Sequence, residues 1–168
     1  MPTEKLAEQT QPQRDRLAFV ELRVRFIGEI RRQDLVSRFG IQSAAATRDL
    51  AVYKDLSSGN IDYDPKAKSY VLTDEFRPLF DFPPERVLSW LTQGFGDGEP
   101  IRLRAWVASE TPSRLTHPDL DVLAAVTRAI HQECPLAVEY HSISSGRTER
   151  EIVPFALIDN GLRWHARA

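Results

Sequence analysis

One cysteine in 168 residues, Cys134, has no partner for an internal disulfide and cannot by itself build a thiolate-rich metal site. Such a chain suits a reducing cytoplasm. No apolar run approaches the roughly 18 residues that a membrane span needs. The opening residues MPTEKLAEQTQP are polar, so neither a span nor a signal peptide is expected. His117, His131 and His141 show no metal-ligand spacing with one another or with carboxylates, and no metal or other cofactor is expected. A basic excess is also missing. Twenty-two Lys and Arg stand against 24 Asp and Glu, a formal charge of −2, which alone argues against a nucleic-acid binder.

The charge is unevenly spread, however. Residues 31 to 54 hold five Arg or Lys against two Asp, net +3, and a local patch can bind phosphate while the whole chain stays acidic. Hydrophobic content of 42% and three Trp are enough for real cores, and the length suits one large or two small domains.

The basic stretch lies within Arg31 to Leu56, RRQDLVSRFGIQSAAATRDLAVYKDL, which reads as two short helices and a tight turn. Leu35, Val36 and Phe39 fall on one helical face, and Gly40 follows where a helix end needs positive φ. Ile41 plugs the turn. The second helix carries Ala46, Leu50 and Tyr53 inward and leaves Gln42, Ser43, Ala45, Thr47 and Arg48 outward. Small residues with Ser, Thr, Gln and Arg donors suit a DNA major groove, where bulk would clash. The plain alternative is an ordinary helical hairpin. Gln42 is a poor N-cap, so the cap is expected to move to Ser43 and the helix start by one residue.

Next, NIDYDPKAKSYVL alternates at Ile61 and Tyr63, turns through Asp64 to Lys68, and alternates again at Tyr70 and Leu72. That is a β-hairpin pattern. A helix, a helix-turn-helix and a hairpin make the order of a winged helix, with Lys66 and Lys68 at the wing tip, placed to meet phosphate.

Before this element, residues 1–13 carry no periodic pattern and are expected to be a disordered lead. Arg14 to Ile27 then shows two apolar stripes, Leu17, Val20, Val24, Ile27 and Phe19, Leu22, Phe26. Both need cover: one can pack on the helix-turn-helix, and the other wants a second surface from a later part of the chain or a partner subunit. Arg16, Arg23 and Arg25 are expected on a solvated rim.

After the wing, Phe76 to Phe82 reads as a packed linker. Pro84 opens a short helix with Val87, Leu88 and Leu91 inward. The loop Gly94 to Pro100 is not a phosphate loop, because no Lys-Ser/Thr follows it. Ile101 to Ala108 alternates as a strand. Pro118 opens a helix with Leu120, Leu123, Ala124, Thr127 and Ile130 inward, ending by Cys134 before Pro135.

The remainder is strand and turn. Leu136, Val138 and Tyr140 alternate, Ser144 to Gly146 turns, and Glu149 to Ile158 reads as one strand interrupted at Pro154. Asp159-Asn160-Gly161 is a hairpin turn. In the last strand Leu162, Trp164 and Ala166 face one way and Arg163, His165 and Arg167 the other. Two guanidiniums flanking an imidazole make an anion-recognition face, against the plainer reading of a solvated surface. Ser142, His141 and Asp159 invite an enzyme reading, but neighbours on a strand point to opposite faces, so no nucleophile-base pair and no catalytic site is expected.

RFGIQSAAATRDL, NIDYDPKAKSYVLTDEFRPLF and LAVEYHSISSGRTEREIVPFALIDNGLRWHARA together resemble the bacterial WYL-domain transcriptional regulators, in the BrxR/CapW subgroup associated with phage defence. The resemblance covers residues 14 to 168. It implies an α+β fold: an N-terminal winged helix-turn-helix over 14–80, a helical and strand connector over 81–117, and part of an Sm- or SH3-like WYL β-barrel over 118–168. It implies a repressor of a phage-defence operon, homodimeric, that binds a double-stranded DNA operator and senses a nucleotide or single-stranded nucleic acid. Of the tripeptide naming the domain, Trp164-His165-Ala166 keeps only the Trp, while His165 and Arg167 match the HxR element of the subgroup. Tyr140, Ser142 and Ser144 match its YxS strand and turn. The chain stops at Ala168, in a strand, where the family continues, and a truncated polypeptide is expected. A different class of function would be a ligand- or nucleic-acid-binding adaptor without operator binding.

Overall fold

The computed structural model describes residues 2–93, 118–142, 146–160 and 162–168. The chain divides into two compact units, Met1–Asp81 and Phe82–Ala168.

In the first unit, residues expected to lack structure form α1 (Pro2–Ala7), and α2 (Gln11–Ile27) starts three residues before Arg14. Pro12 explains the early start, since its fixed φ suits the first turn of a helix. Gly28 ends α2 at φ 95°, its N–H donating to the Arg23 and Val24 carbonyls. Then come β1 (Glu29–Ile30), α3 (Arg32–Phe39), α4 (Ser43–Leu56), β2 (Ile61–Asp64) and β3 (Ser69–Leu72). The sheet order is β1-β3-β2, antiparallel throughout, with Ile30 opposite Tyr70 and Tyr63 opposite Tyr70 from the other side. This is a winged-helix arrangement.

Helix α2 is the centre of the unit and touches α3, α4, β1 and β3. Both its stripes are buried, Leu17, Val20, Val24 and Phe26 completely, with only Ile27 half-exposed. They meet Ile30, Leu35, Ala46, Leu50 and Ile61 in a core where each fully buried large side chain contributes about 1.5–3 kcal/mol. The Phe19 ring stands edge-on to Phe39 at 5.5 Å. The arginines on α2 are not a solvated rim. Arg16 pairs with Asp49 of α4 at 2.6 Å, Arg23 with Asp34 of α3 at 3.6 Å, and Arg25 is buried against the Phe26 ring.

In the second unit, α5 (Pro84–Gln93) buries Val87 and Leu88, with Phe82 edge-on to Trp90 at 5.7 Å. Helix α6 (Leu120–Gln132) is capped by Asp119, whose carboxylate accepts the Asp121 and Val122 N–H groups. It buries Leu123, Ala124, Val126, Thr127 and Ala129, and ends at Glu133 before Pro135. Two antiparallel hairpins follow: β4 (Leu136–Ser142) with β5 (Gly146–Ile152), and β6 (Ala156–Asp159) with β7 (Trp164–Arg167). The stretch expected as one strand from Glu149 to Ile158 is thus two strands of different hairpins, broken where Pro154 supplies no N–H to a ladder. The readings of Gly94 to Pro100, of Ile101 to Ala108 and of Ser144 fall outside the described residues.

Candidate nucleic-acid interface

The outward face of α4 is built from a turn and a core. Gly40 closes α3 at φ 64°, its N–H donating to the Val36 carbonyl, and space is open where a Cβ would stand. The chain turns through Ile41, and Gln42 becomes the N-cap of α4. Its backbone carbonyl accepts the Ala45 and Ala46 N–H groups at 2.9 and 3.1 Å, and its side chain makes no cap bond. The cap therefore stays at Gln42 rather than moving to Ser43. An extended φ and ψ of −70° and 149° suffice to start the helix there.

Ala46, Leu50 and Tyr53 face inward, all but inaccessible, while Gln42, Ser43, Thr47 and Arg48 are exposed and Ala45 is half-buried. Thr47 Oγ1 donates to the Ser43 carbonyl at 2.9 Å. Asp49 is the exception to the polar-outside pattern: it is 2% exposed. Its carboxylate accepts from Arg16 Nε at 2.6 Å and Gln13 Nε2 at 3.2 Å, so the negative charge next to Arg48 is withdrawn onto α2. Arg48 itself is left to solvent.

The wing stands on the same unit. Asp64 Oδ1 accepts the Lys66 and Ala67 N–H groups at 2.8 and 3.3 Å, a side-chain-closed turn, and Lys68 takes φ 54°. Lys66 and Lys68 are exposed at its tip. On the strands below the tip, the rings of Tyr63 and Tyr70 lie with centroids 5.2 Å apart. At its base, the Tyr63 N–H and Lys54 hold Asp62 below the usual carboxylate range.

Behind α4 sits a buried polar network. Glu21 Oε2 accepts from the Tyr53 hydroxyl at 3.0 Å and the Leu79 N–H at 2.8 Å, and Oε1 accepts the Phe80 N–H at 2.9 Å. Asn60 Nδ2 donates to Tyr53 Oη at 3.1 Å and to the Arg77 carbonyl at 2.8 Å, while its Oδ1 accepts the Arg77 N–H at 2.9 Å. Burial pushes both Glu21 and Tyr53 upward from their ordinary pKa.

In the second unit the anion-face residues divide between hairpins. His165 stands opposite Ile158 and Arg167 opposite Ala156 on one face of β6–β7. His165 Nε2 lies 3.1 Å from Asn160 Nδ2, and the Arg167 guanidinium lies over Phe155. Arg163 precedes the strand, held in the turn by its N–H on Asn160 Oδ1 at 2.8 Å. Tyr140 and Ser142 are on β4, where Arg150 lies 4.7 Å over the Tyr140 ring. No ladder joins the two hairpins among the described residues.

Comparison with known proteins bears on both units. The model of the BrxR transcriptional regulator winged helix-turn-helix domain matches residues 12–93, and the WYL domain model matches residues 121–168. The chain is of the BrxR/CapW type. It is 34% identical over 164 residues to a DNA-binding transcriptional repressor CapW from Stenotrophomonas maltophilia, and 33% over 163 residues to one from Escherichia coli. A Pseudomonas aeruginosa CapW is 32% identical over 164 residues. Each match covers 93% of this chain and 54% of the relative, so the chain spans about half the length of these repressors. These relatives are described as DNA-binding transcriptional repressors.

Within this BrxR-type domain the sequence reading missed β1, the Arg16–Asp49 pair and the Glu21–Tyr53–Asn60 network. Two residues of strand carry no alternation to read. A charged residue inside an apolar stripe was the available signal, since Glu21 falls between Val20 and Leu22 and Asp49 beside Leu50.

Proposed function

We propose that this chain is a DNA-binding transcriptional repressor in which residues 14–80 read a double-stranded operator and the WYL segment, residues 118–168, senses an effector. Residues 81–117 connect them. The observation that carries the reading is the outward face of α4, where Gln42, Ser43, Ala45, Thr47 and Arg48 present donors and little bulk beside a wing tipped by Lys66 and Lys68. Arginine forks suit guanine edges and small side chains let the helix approach. Lysines at the wing suit phosphate. The relatives' description as DNA-binding repressors supports the same assignment.

The effector proposal rests on Arg163, His165 and Arg167, with Tyr140, Ser142 and Ser144 proposed as further hydroxyl donors. This set suits a nucleotide or a short single-stranded nucleic acid, because guanidinium forks hold phosphate and a tyrosine can stack on a base. The hairpins are proposed as part of an Sm- or SH3-like barrel. The working form is a homodimer in the cytoplasm acting on a palindromic site that controls a phage-defence operon. No helix among the described residues is long and apolar enough to cross a membrane.

Electrophoretic mobility of duplex DNA from the region upstream of its own gene, across a salt series, tests the reading. Operator binding gives a steep fall of affinity with salt and resists random competitor. A salt-insensitive or absent shift favours the adaptor alternative.

A further inference from the structure

Residues 77–80 leave the winged helix and lead, two residues on, into the second unit. Their backbone is held by side chains in an unusual way. Asn60 takes both the N–H and the carbonyl of Arg77, Pro78 has no N–H, and Glu21 takes the N–H groups of Leu79 and Phe80. Every amide donor of this strap therefore ends on one of two buried side chains, 0% and 2% exposed. Among the described residues the two are bridged by the hydroxyl of Tyr53, which donates to Glu21 and accepts from Asn60. Tyr53 belongs to α4, six residues from Thr47 and five from Arg48, less than two turns away, on the helix's inner side.

We propose that Glu21, Tyr53 and Asn60 are positioning residues for operator binding, which couple the docking of the 77–80 strap to the orientation of α4. The inference rests on the DNA-reading role of α4 and adds the route by which the second unit governs it. A pull on the strap withdraws two N–H groups from Glu21. A buried carboxylate left with fewer donors must recruit others or reorient, and Tyr53, its remaining hydroxyl donor, moves with it. The recognition helix carries Tyr53, so its outward face shifts. Apolar packing alone would let the strap slide; the paired acceptors make docking close to all-or-none, which is what a relay between two states needs. Linkage makes the relation reciprocal: whatever strap release does to operator affinity, operator binding must do to strap docking.

The test uses the full chain with amide hydrogen exchange and a duplex enriched by the protein from a random pool. The variants are Glu21→Gln, which loses one acceptor while keeping size, and Tyr53→Phe, which removes the bridge and keeps the ring. Without DNA, Glu21→Gln is expected to speed exchange at Leu79 and Phe80 and also at α4 amides, sparing α3. With duplex, the wild type slows exchange at Leu79 and Phe80, and Tyr53→Phe lowers duplex affinity about tenfold while its unfolding temperature exceeds the assay temperature by a wide margin. If Glu21→Gln frees the strap amides while α4 exchange stays at the wild-type rate, or if Tyr53→Phe binds duplex as tightly as the wild type, the coupling is overturned. Should the wild type select no duplex at all, the DNA-reading role fails separately, and the DNA-free exchange still decides whether strap and helix are coupled.

Discussion

Arg48 and Leu50 stand two residues apart on α4 and meet opposite surroundings, solvent and a core where Leu50 is 1% exposed. Arg48→Ala is expected to weaken operator binding by about 1–3 kcal/mol and leave the unfolding temperature nearly unchanged. Leu50→Ala is expected to cost about 2–5 kcal/mol of stability through lost transfer energy and the cavity left behind. Mobility shifts and denaturant titrations on the two variants check the facing of the helix; an Arg48→Ala that unfolds the domain reverses it. Glu21 supplies a pH test. Its carboxyl is raised by burial, against the opposing N–H bonds from Phe80 and Leu79, so the native state binds a proton more readily than the unfolded chain. Its contribution to stability is therefore largest below the unfolded carboxyl's pKa and is lost as pH rises through the raised native value. Relative to Glu21→Gln, the wild type is expected to gain stability on acidification from neutral pH toward that range. Denaturant midpoints of both proteins measured from about pH 4 to 8 read the difference.

The wing and the α3–α4 pair are separable elements with separate tests. The wing tip holds its shape through Asp64 and the backbone, without using the ammonium groups of Lys66 or Lys68. Replacing both with Ala should preserve the hairpin, lower affinity for operator and random DNA alike, and flatten the salt slope by about one or two units. An unchanged slope takes the wing out of the interface. These elements were also the most readable in the sequence, because each announces itself locally: α3 by Leu35, Val36, Phe39 and a closing Gly40, and the wing by alternation around Asp64 to Lys68. The strand β1 was not readable. Glu29 and Ile30 are a strand only because Val71 and Tyr70 pair with them, from about forty residues away in sequence.

At the scale of the whole molecule, the sequence argument for a partner loses one of its supports. Both apolar stripes of α2 are buried by the chain itself, so a homodimer is no longer required to cover that helix. The proposal of a homodimer then stands on palindromic operator reading and the limited area one winged helix offers. Sedimentation at micromolar concentration tests it: a monomer that still binds its site tightly sinks it. For the sensor, Arg167→Ala is expected to abolish release from the operator by short single-stranded oligonucleotides or nucleotides while leaving operator binding in place. Equal release by both proteins makes the arginine face ordinary surface.

What the sequence by itself determined were the features written at short range: helix faces at a period of 3.6, hairpins at a period of two, and breaks at Gly40, Pro84, Pro135 and Pro154. It also held the motifs by which the BrxR/CapW type is recognised. What only the tertiary structure decided was where charges go. Arg16 and Asp49 lie 33 residues apart, Glu21 and Phe80 59 apart, and no local pattern names the partners these groups find. A buried charge is tolerated only where partners arrive from other elements. Until α2, α4 and the exit strap are packed together, Glu21 is one more carboxylate among 24 acidic residues; once they are, it holds the end of the winged helix in place.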